Sequence, residues 1–120
     1  MDATVVRAHH HAAGARQGQV TQALGRSRGG FSTKIHLKCE GGGKPLALYL
    51  TGGERHEMVG FRPLLDGGKV KRGGPGRPRQ RPRKLVGDRG YSNGVARKEL
   101  RRRGMVVLQE ILQAALRDFA

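Results

Sequence analysis

Cysteine, acid and aromatic side chains are all scarce in this chain. Cys39 is the only cysteine in 120 residues, which excludes an intramolecular disulfide and a multi-cysteine zinc site and suits a reducing compartment. Aromatic residues make up 4% and hydrophobic residues 36% of the composition, so one small domain with a thin core is expected, and it reads as a piece of something larger. No apolar run approaches the roughly 20 residues needed to span a bilayer. The opening "MDATVVRAHH" lacks the basic-then-apolar pattern of a signal peptide. A cytoplasmic location without a membrane partner is therefore expected. Against 9 Asp and Glu stand 24 Lys and Arg, a formal charge of +15. Self-repulsion of that size points to a polyanionic partner, and nucleic acid is the natural one.

What is present alternates between strand-like and helix-like stretches. Residues 2–8, "DATVVRA", read as a strand because Thr4, Val5 and Val6 are consecutive and β-branched. Residues 9–30 show no sustained period and end in a Gly/Arg/Ser cluster, so a loop or mobile arm is expected. From Lys34 to Glu40 the pattern alternates, with Ile35, Leu37 and Cys39 on one face and His36 and Lys38 on the other, as in a half-buried strand. "EGGGKP" supplies a turn, and the apolar run Leu46–Leu50 suits a second strand covered on both faces, paired antiparallel with the first. Residues 57–66 predict a short helix weakened by Gly60 and Pro63. Residues 67–83 carry seven cations, no acid and three prolines; unable to bury anything, they predict a disordered basic loop or linker. A strand at 84–87 follows, then a helix capped by Ser92 and ended by Gly104, a strand at 105–108, and a last helix with the stripe Ile111, Leu112, Ala115, Leu116 and Phe119.

One acid stands out in "RPRKLVGDRGYSNG", residues 81–94: Asp88 follows a short strand in an arginine-rich neighbourhood. Asp is common after strands, where it caps a turn. A second role comes from context. Taken in order, "DATVVRAHHHAAGA", "ALGRSRGGFSTKIHL", "GKPLALYLTGGERHE", "RPLLD" and "RPRKLVGDRGYSN" resemble the catalytic domain of DDE-type insertion-sequence transposases of the IS4/IS5 kind, over residues 1 to about 105. The resemblance places the first catalytic aspartate, which opens a D-x-T-x-V-x-A-H strand, at Asp2, with His9 as the motif histidine. It places the second, in D-[KR]-G-Y, at Asp88, followed by Arg89, Gly90 and Tyr91. It implies an α/β, ribonuclease H-like mixed sheet flanked by helices, incomplete here, in which Asp2 and Asp88 meet on adjacent strands and hold Mg²⁺, or Mn²⁺ in its place. Carboxylate oxygens suit that ion, which keeps several waters and needs few protein ligands. Gly87 and Gly90 would let the backbone turn sharply around the second acid. The family's third acid, a glutamate in a Y-x-x-R-x-x-x-E pattern, has no counterpart: Glu99 and Glu110 lack that surrounding and fall too soon after Asp88. Residues 105–120 depart from the family pattern, and the region that normally precedes the first aspartate is absent. The chain thus resembles the second frame of a two-frame element, or a remnant truncated at both ends.

The cationic residues expected at DNA are Arg26, Arg28, Lys34, Arg77, Arg79, Arg81, Arg83 and Arg89. "GRSRGG" reads equally well as a phosphate cradle of backbone N–H groups with Arg26 and Arg28, or as a flexible turn. The run 69–83 suits nonspecific phosphate contact rather than base reading. His9, His10 and His11 are consecutive and cannot all converge on one ion from a regular element, so they read as a solvated loop. The leading function is a transposase, whole or in part, that binds element ends and target DNA and cuts and joins strands with a carboxylate-bound metal in the nucleoid-associated cytoplasm. Its partners would be DNA and either a second copy or the product of an upstream frame. The alternatives are a noncatalytic basic DNA-binding remnant and another ribonuclease H-like nuclease.

Overall fold

A computed structural model describes residues 1–9, 22–87, 89–91 and 93–107. The final helix expected over 108–120, and with it Glu110, lies outside the described residues, as do His10, His11, Asp88 and Ser92.

The central element is a long strand, β3 (Gly30–Cys39), to which three others are hydrogen-bonded. β1 (Asp2–Arg7) runs antiparallel to it from Asp2↔Leu37 to Arg7↔Ser32. β4 (Pro45–Gly52) pairs antiparallel with it from Thr33↔Gly52 to Lys38↔Ala47, with a register irregularity after Lys38. The expected hairpin is therefore present. Its turn is closed by Gly43 N–H to Glu40 O and Glu40 N–H to Lys44 O, both 2.9 Å, with Gly43 at φ 86°, a conformation that favours glycine. β2 (Gly25–Ser27) also pairs with β3, from Gly25↔Ser32 to Ser27↔Gly30. That corrects the expectation of an arm throughout 9–30: "GRSRGG" forms a tight hairpin, in which Gly30 at φ 100° admits the reversal.

Residues 57–66 divide at Gly60 into a 3₁₀ turn, Glu57–Gly60, and the helix α1 (Phe61–Asp66). Pro63 is tolerated because it lies in the first turn, where an N–H has no helical partner. The basic segment is closed at its base, since Val70 and Arg79 exchange backbone hydrogen bonds of 2.9 and 2.8 Å and Gln80 donates to the Asp66 carbonyl at 2.7 Å. Residues 71–78 between them are exposed. β5 (Lys84–Leu85) and β6 (Val106–Val107) form a parallel pair, joined by the 3₁₀ turn Arg89–Tyr91 and the helix α2 (Gly94–Arg102). The N-cap of α2 is Asn93, whose side chain accepts from Ala96 N–H at 2.8 Å, rather than Ser92. Gly104 at φ 70° ends it as expected, with Met105 N–H returning to Leu100 O at 2.9 Å. Among the described residues no helix is long and apolar enough to cross a membrane.

The covered face of the sheet is the reverse of the one its pattern suggests. His36 and Lys38 are 0% and 4% exposed, and Ser32 beside them is buried. Directly paired residues share a face, so Ile35 and Leu37 lie with Val6, Leu48 and Leu50, of which the last three are 51%, 60% and 44% exposed. The expectation that β4 is covered on both faces is likewise overturned. The reason lies in packing: residues 57–67 return across the His36 face, where Gly60 sits against the imidazole and the Leu65 and Gly67 carbonyls receive the lysine. The hydrophobic core lies beside the sheet, where Phe61 and Leu65 of α1 meet Leu85, Tyr91, Ala96, Leu100 and Met105, with Met1 and Met58 against them.

Candidate functional site

The site begins with Asp2, the first residue of β1. Its carboxylate is exposed and accepts one hydrogen bond among the described residues, from the Ala3 amide at 2.8 Å. The residue before it fixes the location: Met1 N donates to the Val86 carbonyl oxygen at 2.5 Å. A Cβ on Gly87 would stand 3.9 Å from the Met1 oxygen and 3.6 Å from the Tyr91 Cβ. The head of β1 thus lies alongside the two residues that follow β5. These immediately precede Asp88, which lies outside the described residues.

Around this junction is an open cavity of about 870 Å³, walled by Met1, Asp2, Leu37, Lys38, Leu46, Val86, Gly87 and the run Arg79–Lys84. Its floor is largely aliphatic. Its charged wall is mostly cationic, with Arg79, Arg81, Arg83 and Lys84 against the carboxylates of Asp2 and Glu40. Of the cations expected at DNA, Arg79, Arg81 and Arg83 are brought together here, whereas Arg26, Arg28, Lys34 and Arg77 are not among the wall residues. Arg26 lies over the Phe31 ring at 5.8 Å. Lys34 donates to the Arg55 carbonyl at 2.6 Å. Arg28 is exposed in the turn between β2 and β3, Arg77 is exposed in irregular backbone, and Arg89 opens the 3₁₀ turn after Asp88.

Gly87 and Gly90 do not supply a reversal through positive φ; the glycines that do are elsewhere. A Cβ on Gly90 would instead meet the Glu57 carboxylate at 1.4 Å, so its missing side chain leaves room for Glu57. Glu99 is engaged within α2, where Arg102 and Arg103 hold its carboxyl down at about 2 through hydrogen bonds. Arg103 continues to Asp66 at 2.6 Å and ties α2 to α1. Among the described residues no three His, Cys, Asp or Glu side chains converge on one point. Of the two acids expected to hold a cation, Asp2 is described and offers an exposed carboxylate; oxygen ligands of that kind suit a Mg²⁺-type ion, which takes much of its shell from water.

Two polar residues in this region were not singled out from the sequence. The Nε2 of His36 lies 2.8 Å from Thr51 Oγ1 and its Nδ1 lies 3.3 Å from Tyr91 Oη, a buried chain linking β3, β4 and the turn after Asp88. Burial, helped by nearby Lys34 and opposed by Glu57, lowers its pKa and favours the neutral ring. Lys38, its pKa also lowered chiefly by burial, caps the C-terminal end of α1 through the Leu65 and Gly67 carbonyls. The signal was their place on β3: both alternate with apolar residues, and nothing in the alternation says which set is covered.

The chain matches the family described as the transposase DDE domain over residues 1–115. It is 40% identical over 73 residues to a Burkholderia cepacia protein described as "Putative transposase for insertion sequence element IS402". That alignment covers 61% of this chain and 35% of the relative, so the chain spans about a third of the length of the curated protein it matches. No solved structure matches.

Proposed function

The chain belongs to the transposase DDE domain family, and on that premise we propose that it forms part of the catalytic domain of a DNA transposase. The observation that carries this reading is the lateral contact of Met1 with Val86 and Gly87. It sets Asp2 beside the stretch that leads into Asp88, as expected if both carboxylates serve one cation. The sheet β4–β3–β1, and the separate parallel pair β5–β6 whose following residue Val86 receives the Met1 nitrogen, are compatible with an incomplete ribonuclease H-like sheet. Asp2 and Asp88 would hold Mg²⁺ or Mn²⁺. Such an ion supplies Lewis acidity at a phosphoryl oxygen and a nucleophile at neutral pH. The chain's own part is to orient the carboxylates at the strand ends and to hold the DNA backbone with Arg79, Arg81 and Arg83 along the cavity wall. The exposed cations of 71–78 extend that contact without reading sequence.

A second reading, a DNA binder that does not cut, is favoured by one specific observation: the Glu99 carboxylate is occupied by Arg102 and Arg103 and supplies no third ligand. Both readings require phosphate contact, and salt separates them from a chain with no nucleic-acid role. Affinity for a short duplex should fall steeply between 50 and 200 mM salt, by about 10³-fold if six phosphates are neutralised. A flat dependence would rule out both. In a plasmid assay with Mn²⁺, weak nicking abolished by Asp88→Asn supports the catalytic reading, and bound but wholly uncut DNA supports the second.

A further inference from the structure

The buried chain Thr51–His36–Tyr91 ends on the turn that follows Asp88 in the sequence, and none of its three residues is a ligand in the reading above. Tyr91 closes the 3₁₀ turn Arg89–Tyr91. Its ring packs in the core beside Phe61, with centroids 6.3 Å apart. Its hydroxyl meets His36 Nδ1 at 3.3 Å, while Nε2 on the far side of the imidazole meets Thr51 Oγ1 at 2.8 Å. The imidazole is in turn seated against Gly60, where a Cβ would lie 2.4 Å from the ring. His36 therefore has little room to move, and a neutral imidazole can donate on one side and accept on the other, satisfying both hydroxyls. Gly87, immediately before Asp88, lies against the Cβ of Tyr91 and near the Met1 oxygen. On its far side, the turn after Asp88 is thus tied to β3 and β4 through His36.

We infer that His36 is a positioning residue: through Tyr91 it fixes the Arg89–Tyr91 turn against β3 and β4, and so bears on where the second acid stands relative to Asp2. This rests on the reading that Asp2 and Asp88 hold a divalent cation. Groups that orient metal ligands through hydrogen bonds carry a substantial part of the affinity of such sites. The competing explanation is that ring packing alone holds the turn, in which case the hydroxyl and imidazole are dispensable.

The test uses the full chain labelled with ¹⁵N, with Tyr91→Phe, His36→Phe and His36→Gln compared with wild type in two measurements. In the first, backbone heteronuclear NOEs at Gly87 and Gly90 should drop in both Phe variants while Leu100 in α2 keeps its wild-type value. His36→Gln, whose amide offers a donor and an acceptor, should restore them. In the second, Mn²⁺ titration should show about 10-fold weaker binding for the Phe variants and near wild-type binding for His36→Gln. Unchanged NOEs in Tyr91→Phe overturn the inference, as do lowered NOEs with unchanged Mn²⁺ affinity. Should His36→Phe fail to fold, Tyr91→Phe, which loses one oxygen and keeps its ring, decides alone. If wild type shows no Mn²⁺ binding that depends on Asp88, the metal reading fails, and the NOEs still decide whether His36 holds the turn.

Discussion

Met1 and Val86, 85 positions apart in sequence, are joined by a hydrogen bond of 2.5 Å from the Met1 nitrogen to the Val86 oxygen. The bond carries the first strand of the sheet to the end of β5 and closes the chain from Met1 to Val86 into one loop. Bringing such distant segments together costs chain entropy, which burial of Met1 against the Phe61–Tyr91 core helps offset. Asp2 consequently belongs to the folded state alone: in the unfolded chain nothing holds it near residue 87.

Gly60→Ala should destabilise the fold although its backbone, at φ −80°, is open to any residue. The added methyl would lie 2.4 Å from the buried His36 ring, which cannot retreat without abandoning Thr51 or Tyr91. Overpacking of this kind costs about 1–3 kcal/mol. Urea unfolding should show a lower midpoint with an unchanged slope; a midpoint equal to wild type would mean the ring has room that its contacts deny.

Much of the fold was legible in the sequence: the first strand, the hairpin about Gly43, helical structure within 57–66 and the helix stop at Gly104 all follow from local pattern, whereas the split of 57–66 into a 3₁₀ turn and a helix at Gly60 does not. The facing of β3 was not legible either. Alternation at Ile35, His36, Leu37 and Lys38 says which residues share a side, and coverage is decided by where Gly60 and the Leu65 and Gly67 carbonyls come to rest. β2 was hidden for a related reason, because "GRSRGG" carries no apolar alternation and is made a strand by pairing with Ser32, Phe31 and Gly30. Of the residues expected at a site from motif and charge, Asp2, Arg79, Arg81 and Arg83 line one cavity. The contact of His36 was not legible, since its partner Tyr91 lies 55 residues away.

Stability should decline as pH falls from 7 towards 5, with His36 as a main cause. Its folded pKa lies below the usual 6.5 because burial, reinforced by Lys34, opposes the charge, with Glu57 the lesser counterweight. Above 6.5 both folded and unfolded chains carry the neutral ring. Below it the unfolded chain takes up a proton that the folded chain resists, so unfolding gains, and the loss levels off beneath the folded value. The difference in unfolding free energy between pH 7 and pH 5 should shrink in His36→Gln; equal differences would assign the pH response to other groups.

Arg103→Ala should release Glu99. In the native chain the Glu99 carboxyl is held at about 2 by hydrogen bonds from Arg102 and then Arg103. The stabilisation this reflects is present above the unfolded value near 4.5 and is lost as pH falls through that window towards 2. Removing Arg103 leaves, among the described residues, Arg102 on Glu99 and also severs the bridge to Asp66. A carbon-detected NMR titration should find Glu99 titrating at higher pH in the variant; an unmoved midpoint would mean that Arg102 alone sets it.

The shared-cation claim is tested most directly by Mn²⁺ binding, followed through the EPR signal of the free ion, for wild type, Asp2→Asn, Asp88→Asn and the double variant. If the two carboxylates serve one ion, each single substitution removes a direct ligand. Each should then weaken binding by more than the roughly 10-fold typical of losing an outer hydrogen-bond partner, and the double variant should be little worse than either single one, as coupled neighbours behave. Binding unchanged in either single variant, or losses that simply add in the double, would contradict the account.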